Sequence, residues 1–229
     1  MSKLILYHGT ADEKVTPTFG KGNKHHDYGQ GFYLTNDITL AKEWAVCQPK
    51  CICGFVHKYE LDLQELQILD FKSKGILAWL AELMKHRDAD SSRRYRMLAP
   101  RFISQFGVKS SGYDVISGWR ADASYFYIAK EFVRDNVDVD ILEQLLMLGN
   151  LGIQYCIKSE LAYSRLHEIE SELQIVPYEE FNSRYNQRDT TARQQMYELI
   201  NSDANQVKQV FSTLLTEVDP NGICTSLFR

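Results

Sequence analysis

The chain has 229 residues, of which 44% are hydrophobic and 24% charged, and its formal net charge is −4 at pH 7. These values are ordinary for a folded globular protein and exclude a chain that is disordered over most of its length. A negative net charge also excludes a global attraction to nucleic acid or to an acidic membrane, but a local basic patch is compatible with it.

The predicted elements begin with a short strand. A first strand is predicted over residues 3–7, and a loop rich in Gly, Lys, His and Thr over residues 9–29. A second strand follows over residues 31–35. A helix capped by Asn36 or Asp37 is then predicted to residue 46, and a third strand over residues 54–63. The helix follows from apolar residues at helical spacing after a capping residue, and the loop follows from its glycines.

A helical insertion is predicted over residues 73–106, where apolar residues keep a helical period. It is followed by a strand, two helices and a further strand, over residues 113–117, 125–133, 138–148 and 153–157. Everything after Ser159 predicts helix, in three pieces broken near Pro177 and Asp203. We therefore expect an α+β domain over residues 1–166, with the insertion at about 73–106, and a helical C-terminal extension over residues 167–229.

The number of cysteines and the composition of the N-terminal segment indicate the cellular compartment in which the protein is expected. Five cysteines are an odd number, which favours free thiols in a reducing environment. The apolar run near the N-terminus is too short for a signal peptide, and no stretch approaches the roughly 18 apolar residues of a membrane-spanning helix. We expect a cytoplasmic protein that does not contact a membrane.

The spacing of Cys47, Cys51 and Cys53, followed by His57, raises the question of a zinc site. Zinc ligands usually come as two pairs, the second well downstream. No second pair follows here, and a strand would place Cys51, Cys53 and His57 on one face. We expect buried or half-buried thiols and no metal.

Two segments near the N-terminus contain residues suited to a binding cleft. His8 ends the first strand and is followed by Gly9, whose backbone a ligand can approach closely; a lone histidine is nevertheless more often a structural residue. In the second segment, residues 29–35, Tyr33 lies on the opposite face of a strand from Phe32 and Leu34. If those two are core, Tyr33 offers a flat ring to a cleft; a plain core tyrosine fits equally well.

A third segment lies near residue 154. Gln154 sits in an apolar strand, so its amide needs partners if it is buried, and a ligand hydroxyl is one such partner. Glu160 follows six residues later, at a predicted strand-to-helix junction.

In this order the three segments resemble the ADP-ribosyltransferase fold, in the subgroup with a His-Tyr-Glu constellation shared by the poly-ADP-ribose polymerases. The chain more closely resembles a bacterial family of this clan known as DUF3990. The resemblance covers roughly residues 3–166 and rests on the segments Tyr7-His-Gly-Thr10, Asp27-Tyr-Gly-Gln-Gly-Phe-Tyr-Leu-Thr35, Trp44-Ala45, Tyr113-Asp-Val-Ile-Ser-Gly118 and Leu151-Gly-Ile-Gln-Tyr-Cys-Ile-Lys-Ser-Glu160.

The resemblance implies a split β-sheet core with inserted helices, and an NAD-dependent mono-ADP-ribosyltransferase with NAD⁺ as co-substrate. It implies that His8 hydrogen-bonds a ribose hydroxyl, that the Gly9 backbone holds the nicotinamide amide, that Tyr33 stacks on the nicotinamide ring, and that Gln154 holds a ribose 2′-hydroxyl. The remaining residues of the implied NAD⁺ pocket are Thr10, Tyr28 and Gly31.

The sequence departs from the polymerase pattern at Gln154, where most active relatives carry glutamate. An amide can orient a hydroxyl but cannot act as a base. Three readings stay open: glutamine suffices, Glu160 supplies the carboxylate, or the reaction differs. Asp114 and Asp122 are further candidates to activate an acceptor, although turn bonding and helix capping would explain them equally.

The resemblance also implies a toxin of a toxin–antitoxin or phage-defence system, with an RNA or protein acceptor and an antitoxin or chaperone partner. Two alternatives are a non-catalytic NAD⁺ or ADP-ribose binder that docks a partner, and an NAD⁺ glycohydrolase. Basic residues that fit a nucleic-acid acceptor, or equally the solvated faces of loops and amphipathic helices, are Lys21, Lys24, His25 and His26 in the loop, Arg87, Arg93, Arg94, Arg96, Arg101 and Lys109 in the insertion, and Arg184, Arg188 and Arg193 beside Tyr185 in the tail.

Overall fold

The structure is a computed structural model that describes residues 3–47, 52–121, 123–148, 152–202 and 209–215. Within these ranges the strands are β1 (Lys3–Thr10), β2 (Phe32–Thr35), β3 (Cys53–Asp62), β4 (Ile68–Asp70), β5 (Val115–Trp119), β6 (Ile153–Ile157), β7 (Leu166–Glu168) and β8 (Gln174–Pro177). The α-helices are α1 (Ile38–Val46), α2 (Ile76–His86), α3 (Arg93–Phe106), α4 (Ala123–Val133), α5 (Val139–Met147), α6 (Glu160–Ser164), α7 (Tyr178–Ser202) and α8 (Phe211–Leu214).

All eight strands belong to one mixed sheet with the order β4-β5-β6-β2-β1-β3-β7, in which β8 also pairs with β3. Only β4 and β5 run parallel; every other described pair is antiparallel. Helices pack on this sheet, so the predicted α+β class is confirmed. The five strands predicted from the sequence are all present, whereas the short β4 was missed.

The two halves of the sheet meet at a narrow junction. β1 pairs with β3 along its whole length, from Lys3 to Thr10, and β2 pairs with β6 along its whole length. Between β1 and β2, however, the register holds one pair, Tyr7 opposite Thr35. The two strands therefore separate immediately after Tyr7, which leaves His8 and Gly9 at the point of separation.

Helix α1 covers one face of this junction. The Asp37 side chain caps it by accepting hydrogen bonds from the backbone N–H groups of Thr39 and Leu40, which confirms the predicted capping position. Ala41 and Ala45 are fully buried on its inner side, and small side chains there let the helix approach β1 and β3 closely.

The predicted helical insertion is confirmed as two helices, α2 and α3, separated by residues 87–92. Trp79, Leu80 and Phe102 are fully buried and join the largest apolar cluster, between the sheet and the helices. Apolar residues repeating at helical spacing produced this burial, as expected for amphipathic helices.

The prediction that the chain is helical throughout after Ser159 is wrong for residues 166–177. Strands β7 and β8 lie there and extend the sheet along the free edge of β3. Their backbones form ladder hydrogen bonds with β3, a long-range partner that residue spacing does not reveal. Helix α7 begins directly after Pro177, as predicted; the predicted break at Asp203 lies outside the described residues. The boundary near residue 166 stays a prediction.

No helix in the described part of the chain is both long and apolar enough to cross a membrane.

Candidate functional site

His8 sits where β1 and β2 separate, and its ring nitrogens are used unequally. Nδ1 lies 2.8 Å from the backbone oxygen of Tyr33. Because a carbonyl can only accept, Nδ1 carries the hydrogen and donates it. The ring packs on Phe32, with the ring centroids 4.5 Å apart. No hydrogen-bond partner for Nε2 is found among the described residues, so its lone pair is available to a ligand.

His8 is neutral at physiological pH. Burial lowers its pKa to about 4, and the neighbouring His57 lowers it further, against the opposing effects of the Tyr33 carbonyl and of the Asp12 and Glu168 carboxylates. A neutral ring with hydrogen on Nδ1 makes Nε2 a hydrogen-bond acceptor. The site can therefore receive a hydroxyl hydrogen at this atom.

His57 lies beside His8 on the next strand and was considered from the sequence only as a metal ligand. Its Nδ1 lies 2.6 Å from the Glu168 carboxylate, and its Nε2 lies 3.1 Å from the Asp12 backbone oxygen. Both partners are hydrogen-bond acceptors, so both ring nitrogens of His57 are engaged within the protein. These contacts fasten β7 and the start of the loop after β1 to β3. No metal-binding group of three or more side chains is found among the described residues, and Cys51 lies outside them.

Tyr33 lies on the opposite face of β2 from Phe32 and therefore from the ring of His8. Its hydroxyl donates to the Gly29 oxygen at 2.6 Å and accepts from the Tyr28 N–H at 3.0 Å, which closes the turn before β2. Burial raises the pKa of this phenol. The ring meets His26 edge-on, with centroids 5.2 Å apart. Stacking of nicotinamide on Tyr33 stays a prediction.

Tyr28 is a core residue. Its ring is 1% exposed and stacks on Phe71 at an interplanar angle of 2°. Its hydroxyl donates to the Trp119 oxygen at 2.7 Å and accepts from Nε1 of Trp79 at 3.0 Å. These contacts anchor the loop before β2 to α2 and β5. The expectation that Tyr28 binds NAD⁺ stays a prediction.

The two glycines of the predicted pocket are required by close packing. A Cβ at Gly9 would lie 1.8 Å from the Ala41 oxygen of α1, and a Cβ at Gly31 would lie 2.4 Å from Sγ of Cys156. Gly9 nevertheless lies past the last β1–β2 pair. Its backbone is therefore paired with β3 on one side but not with β2 on the other. Thr10, the next residue, accepts a hydrogen bond from the Asp12 N–H through Oγ1 at 3.2 Å.

Gln154 is 4% exposed and its amide is satisfied within the protein. Nε2 donates to the Asp27 carboxylate at 2.8 Å and to the Trp119 oxygen at 3.0 Å. The partner of Nε2 that the sequence left open is thus Asp27, and contact of Gln154 with a ligand hydroxyl stays a prediction. The predicted contact of Gln154 with ribose would need this network to rearrange.

Asp27 is the centre of that network, and sequence reasoning missed it. Besides Gln154, it accepts from the Arg87 guanidinium at 2.6 Å and from the Ala121 N–H at 2.8 Å. Its exposure is 6%, and a carboxylate at such depth needs this many donors. The one sequence signal was an acidic residue directly before the Tyr28-Gly-Gln-Gly segment.

For the two remaining carboxylate candidates that the structure describes, Glu160 and Asp114, no contact with His8 is found. Glu160 is exposed in the first turn of α6, a position that favours a carboxylate in any helix. Asp114 accepts from the Gln67 N–H at 2.8 Å and from the Ser159 hydroxyl at 2.5 Å, so it has a structural role. Asp122 lies outside the described residues.

The basic residues predicted in the tail are paired with carboxylates. Arg184, Arg188 and Arg193 contact Glu180, Glu43 and Asp189 at 3.0, 2.6 and 2.8 Å, respectively. In the loop before β2, Nδ1 of His25 lies 3.3 Å from the His86 oxygen. The three arginine–carboxylate pairs of the tail reduce the net positive charge that a phosphate backbone would meet.

A family profile described as "Protein of unknown function (DUF3990)" matches residues 4–167. The chain belongs to the DUF3990 family. The matched range contains every predicted site residue, from His8 to Glu160, together with the Asp27 network. No curated protein and no solved structure matches the chain. In this DUF3990 member, α7 and β8 lie outside the matched range.

Proposed function

We propose that this protein binds NAD⁺ at the separation of β1 and β2 and transfers ADP-ribose to an acceptor. The observation that carries the proposal is the state of His8. It is a neutral imidazole that is fixed through Nδ1, and its Nε2 has no hydrogen-bond partner among the described residues. His8 is followed by Gly9, and both lie just past the last pair between β1 and β2. A ribose hydroxyl and a nicotinamide amide would match these two groups.

Transfer breaks the bond between nicotinamide and ribose through a transition state that resembles an oxocarbenium ion. The chain's contribution would be to position and orient the dinucleotide: Nε2 of His8 would accept from a ribose hydroxyl, and the Gly9 peptide would hold the nicotinamide amide.

The acceptor would be RNA or protein, and the proposed biological role is that of a bacterial toxin controlled by a partner protein. Measurements of nicotinamide release and of label transfer distinguish ADP-ribosyl transfer from NAD⁺ hydrolysis. Incubation with labelled NAD⁺ and a cell lysate, followed by nuclease or protease, should leave label in a macromolecule. Free ADP-ribose without labelled macromolecule would select NAD⁺ hydrolysis instead.

A matched pair of substitutions tests the role of His8. Asn can keep a donor near the position of Nδ1 but offers nothing at Nε2, whereas Gln can place an amide oxygen near Nε2. Calorimetry with NAD⁺ should therefore show a greater loss of affinity for His8→Asn than for His8→Gln. His167→Ala removes an exposed histidine of β7 and should bind as the wild type does. Equal binding by all four proteins would contradict the proposal.

A second candidate function, non-catalytic binding of NAD⁺ or ADP-ribose, is favoured by the network of Gln154. Its amide is already bonded to Asp27 and Trp119, and among the described residues the Glu160 carboxylate is not brought to His8. Tight binding of NAD⁺ without release of nicotinamide, in the presence of lysate, would select this function over transfer.

A further inference from the structure

Helix α3 differs from the other helices in how its cations are placed. Arg93, Arg96 and Arg101 are exposed, and the helix contains no acidic residue. No carboxylate partner for these three is found in the described ranges, whereas Arg94 is paired with Asp135. We call Arg93, Arg96 and Arg101 the arginine face. It belongs to a chain whose net charge is −4, so this positive surface is local.

The position of these arginines works against the helix. Arg93, Arg94 and Arg96 lie in and directly after the first turn, where no acidic residue is present. The positive end of the helix dipole favours carboxylates there and disfavours cations, by roughly 0.3–1 kcal/mol each. The helix is held in place by its buried side, which contains Tyr95, Ala99 and Phe102. The arginines at its start are therefore not explained by a contribution to stability.

A cavity of about 380 Å³ lies beside the start of α3, between the loop that precedes it and helices α4 and α7. Tyr127, Lys130 and Arg193 line it, and the Tyr127 ring is 40% exposed. The Arg193 guanidinium lies 6.0 Å from the centroid of that ring. Asp88 and Asp90 line it too, but Asp90 is neutralised by Arg134 at 3.0 Å. Arg193 is paired with Asp189 at 2.8 Å, whereas no carboxylate partner of Lys130 is found among the described residues. An exposed tyrosine beside a basic surface is an arrangement on which unpaired bases stack.

We propose that the arginine face and the Tyr127 cavity together bind single-stranded nucleic acid. The three guanidinium groups span about 12 Å along the helix and would take successive phosphates, since a guanidinium matches a phosphate through two hydrogen bonds. Tyr127 would stack on a base. The inference that this surface docks an acceptor rests on the proposed transferase function. Binding of nucleic acid by itself does not rest on that function, and it is measured without NAD⁺.

The test is fluorescence anisotropy with a short labelled oligo-uridine over about 50–200 mM salt. The triple variant Arg93→Ala, Arg96→Ala, Arg101→Ala should bind about 100-fold more weakly at about 0.1 M salt, and its slope of log affinity against log salt should fall by about 2. A control variant, Lys3→Ala, Lys72→Ala, Arg184→Ala, removes the same charge elsewhere and should bind as the wild type does.

Tyr127→Leu should weaken binding by about ten-fold without changing the salt slope, because stacking releases no counterions. The melting temperature of the triple variant should not fall, since two of its substitutions, Arg93→Ala and Arg96→Ala, remove cations from the positive end of α3. Absence of binding by the wild type, or equal slopes for the triple and control variants, would overturn the proposal. So would binding of poly-glutamate to the arginine face without binding of oligo-uridine, which would assign the surface to an acidic protein.

Discussion

The side-chain amide of Gln154 donates a hydrogen bond to Asp27 at 2.8 Å, although 127 residues separate the two in the chain. Both are buried, and Asp27 is also bonded to Arg87 and to the Ala121 backbone. The amide of this glutamine is thus matched to a buried carboxylate. Only a donor suits this position, because a second carboxylate would face the first.

Gln154→Glu should therefore destabilise the protein by roughly 2–4 kcal/mol at pH 7, through repulsion of two buried carboxylates. The new carboxyl would have its pKa raised in the folded state, so the deficit should be absent below the unfolded pKa of about 4.3 and grow as pH rises. Urea unfolding at several pH values measures it. Adding Asp27→Asn removes the second carboxylate and should recover part of the loss; a deficit independent of pH would refute the explanation.

Two buried tyrosines provide a matched comparison. The Tyr28 hydroxyl has two partners in the core, whereas the buried hydroxyl of Tyr59 has none among the described residues. Tyr28→Phe should cost about 1–3 kcal/mol of unfolding free energy, and Tyr59→Phe should be neutral or stabilising. Neither should change affinity for NAD⁺. A loss of affinity in Tyr28→Phe at unchanged stability would support Tyr28 as a ligand contact.

His8 makes stability depend on pH. Its pKa is lowered to about 4 in the folded protein, against about 6.5 in the unfolded chain. The unfolded state therefore binds the proton more readily, so this contribution is fully present above pH 6.5 and is lost as pH falls towards 4. Since His8 is only partly buried, we expect about 2 kcal/mol. His8→Asn should flatten this part of the profile in urea unfolding, and NMR titration of the ring should place its midpoint well below 6.

Gly9→Ala tests whether the glycine is needed for packing. The added Cβ would meet the Ala41 oxygen, so α1 must move away from β1. We expect a loss of roughly 2–4 kcal/mol. At Gly20 a Cβ meets nothing within 4 Å and the substitution carries only the strain of φ +75°, so Gly20→Ala should cost about 1 kcal/mol. Thermal unfolding compares the two, and equal shifts would show that α1 yields easily.

Much of the fold could be predicted because local spacing carries it. Apolar residues at helical spacing marked α2 and α3, Asp37 marked the start of α1, and alternation marked β2. The same alternation correctly placed Phe32 and Tyr33 on opposite faces. Strands β7 and β8 could not be predicted, since they are short and exist by pairing with β3, more than a hundred residues earlier in the chain.

The sequence by itself determined the α+β class, the family, and which residues bear polar groups at strand ends, because these follow from residue type and neighbours along the chain. Only the tertiary structure decided what those groups contact. Among the described residues, Nε2 of His8 has no hydrogen-bond partner, both ring nitrogens of His57 are bonded, and the amide of Gln154 donates to Asp27. Hydrogen bonds between segments depend on how strands and helices approach one another, and that approach is set by the packing of the whole core.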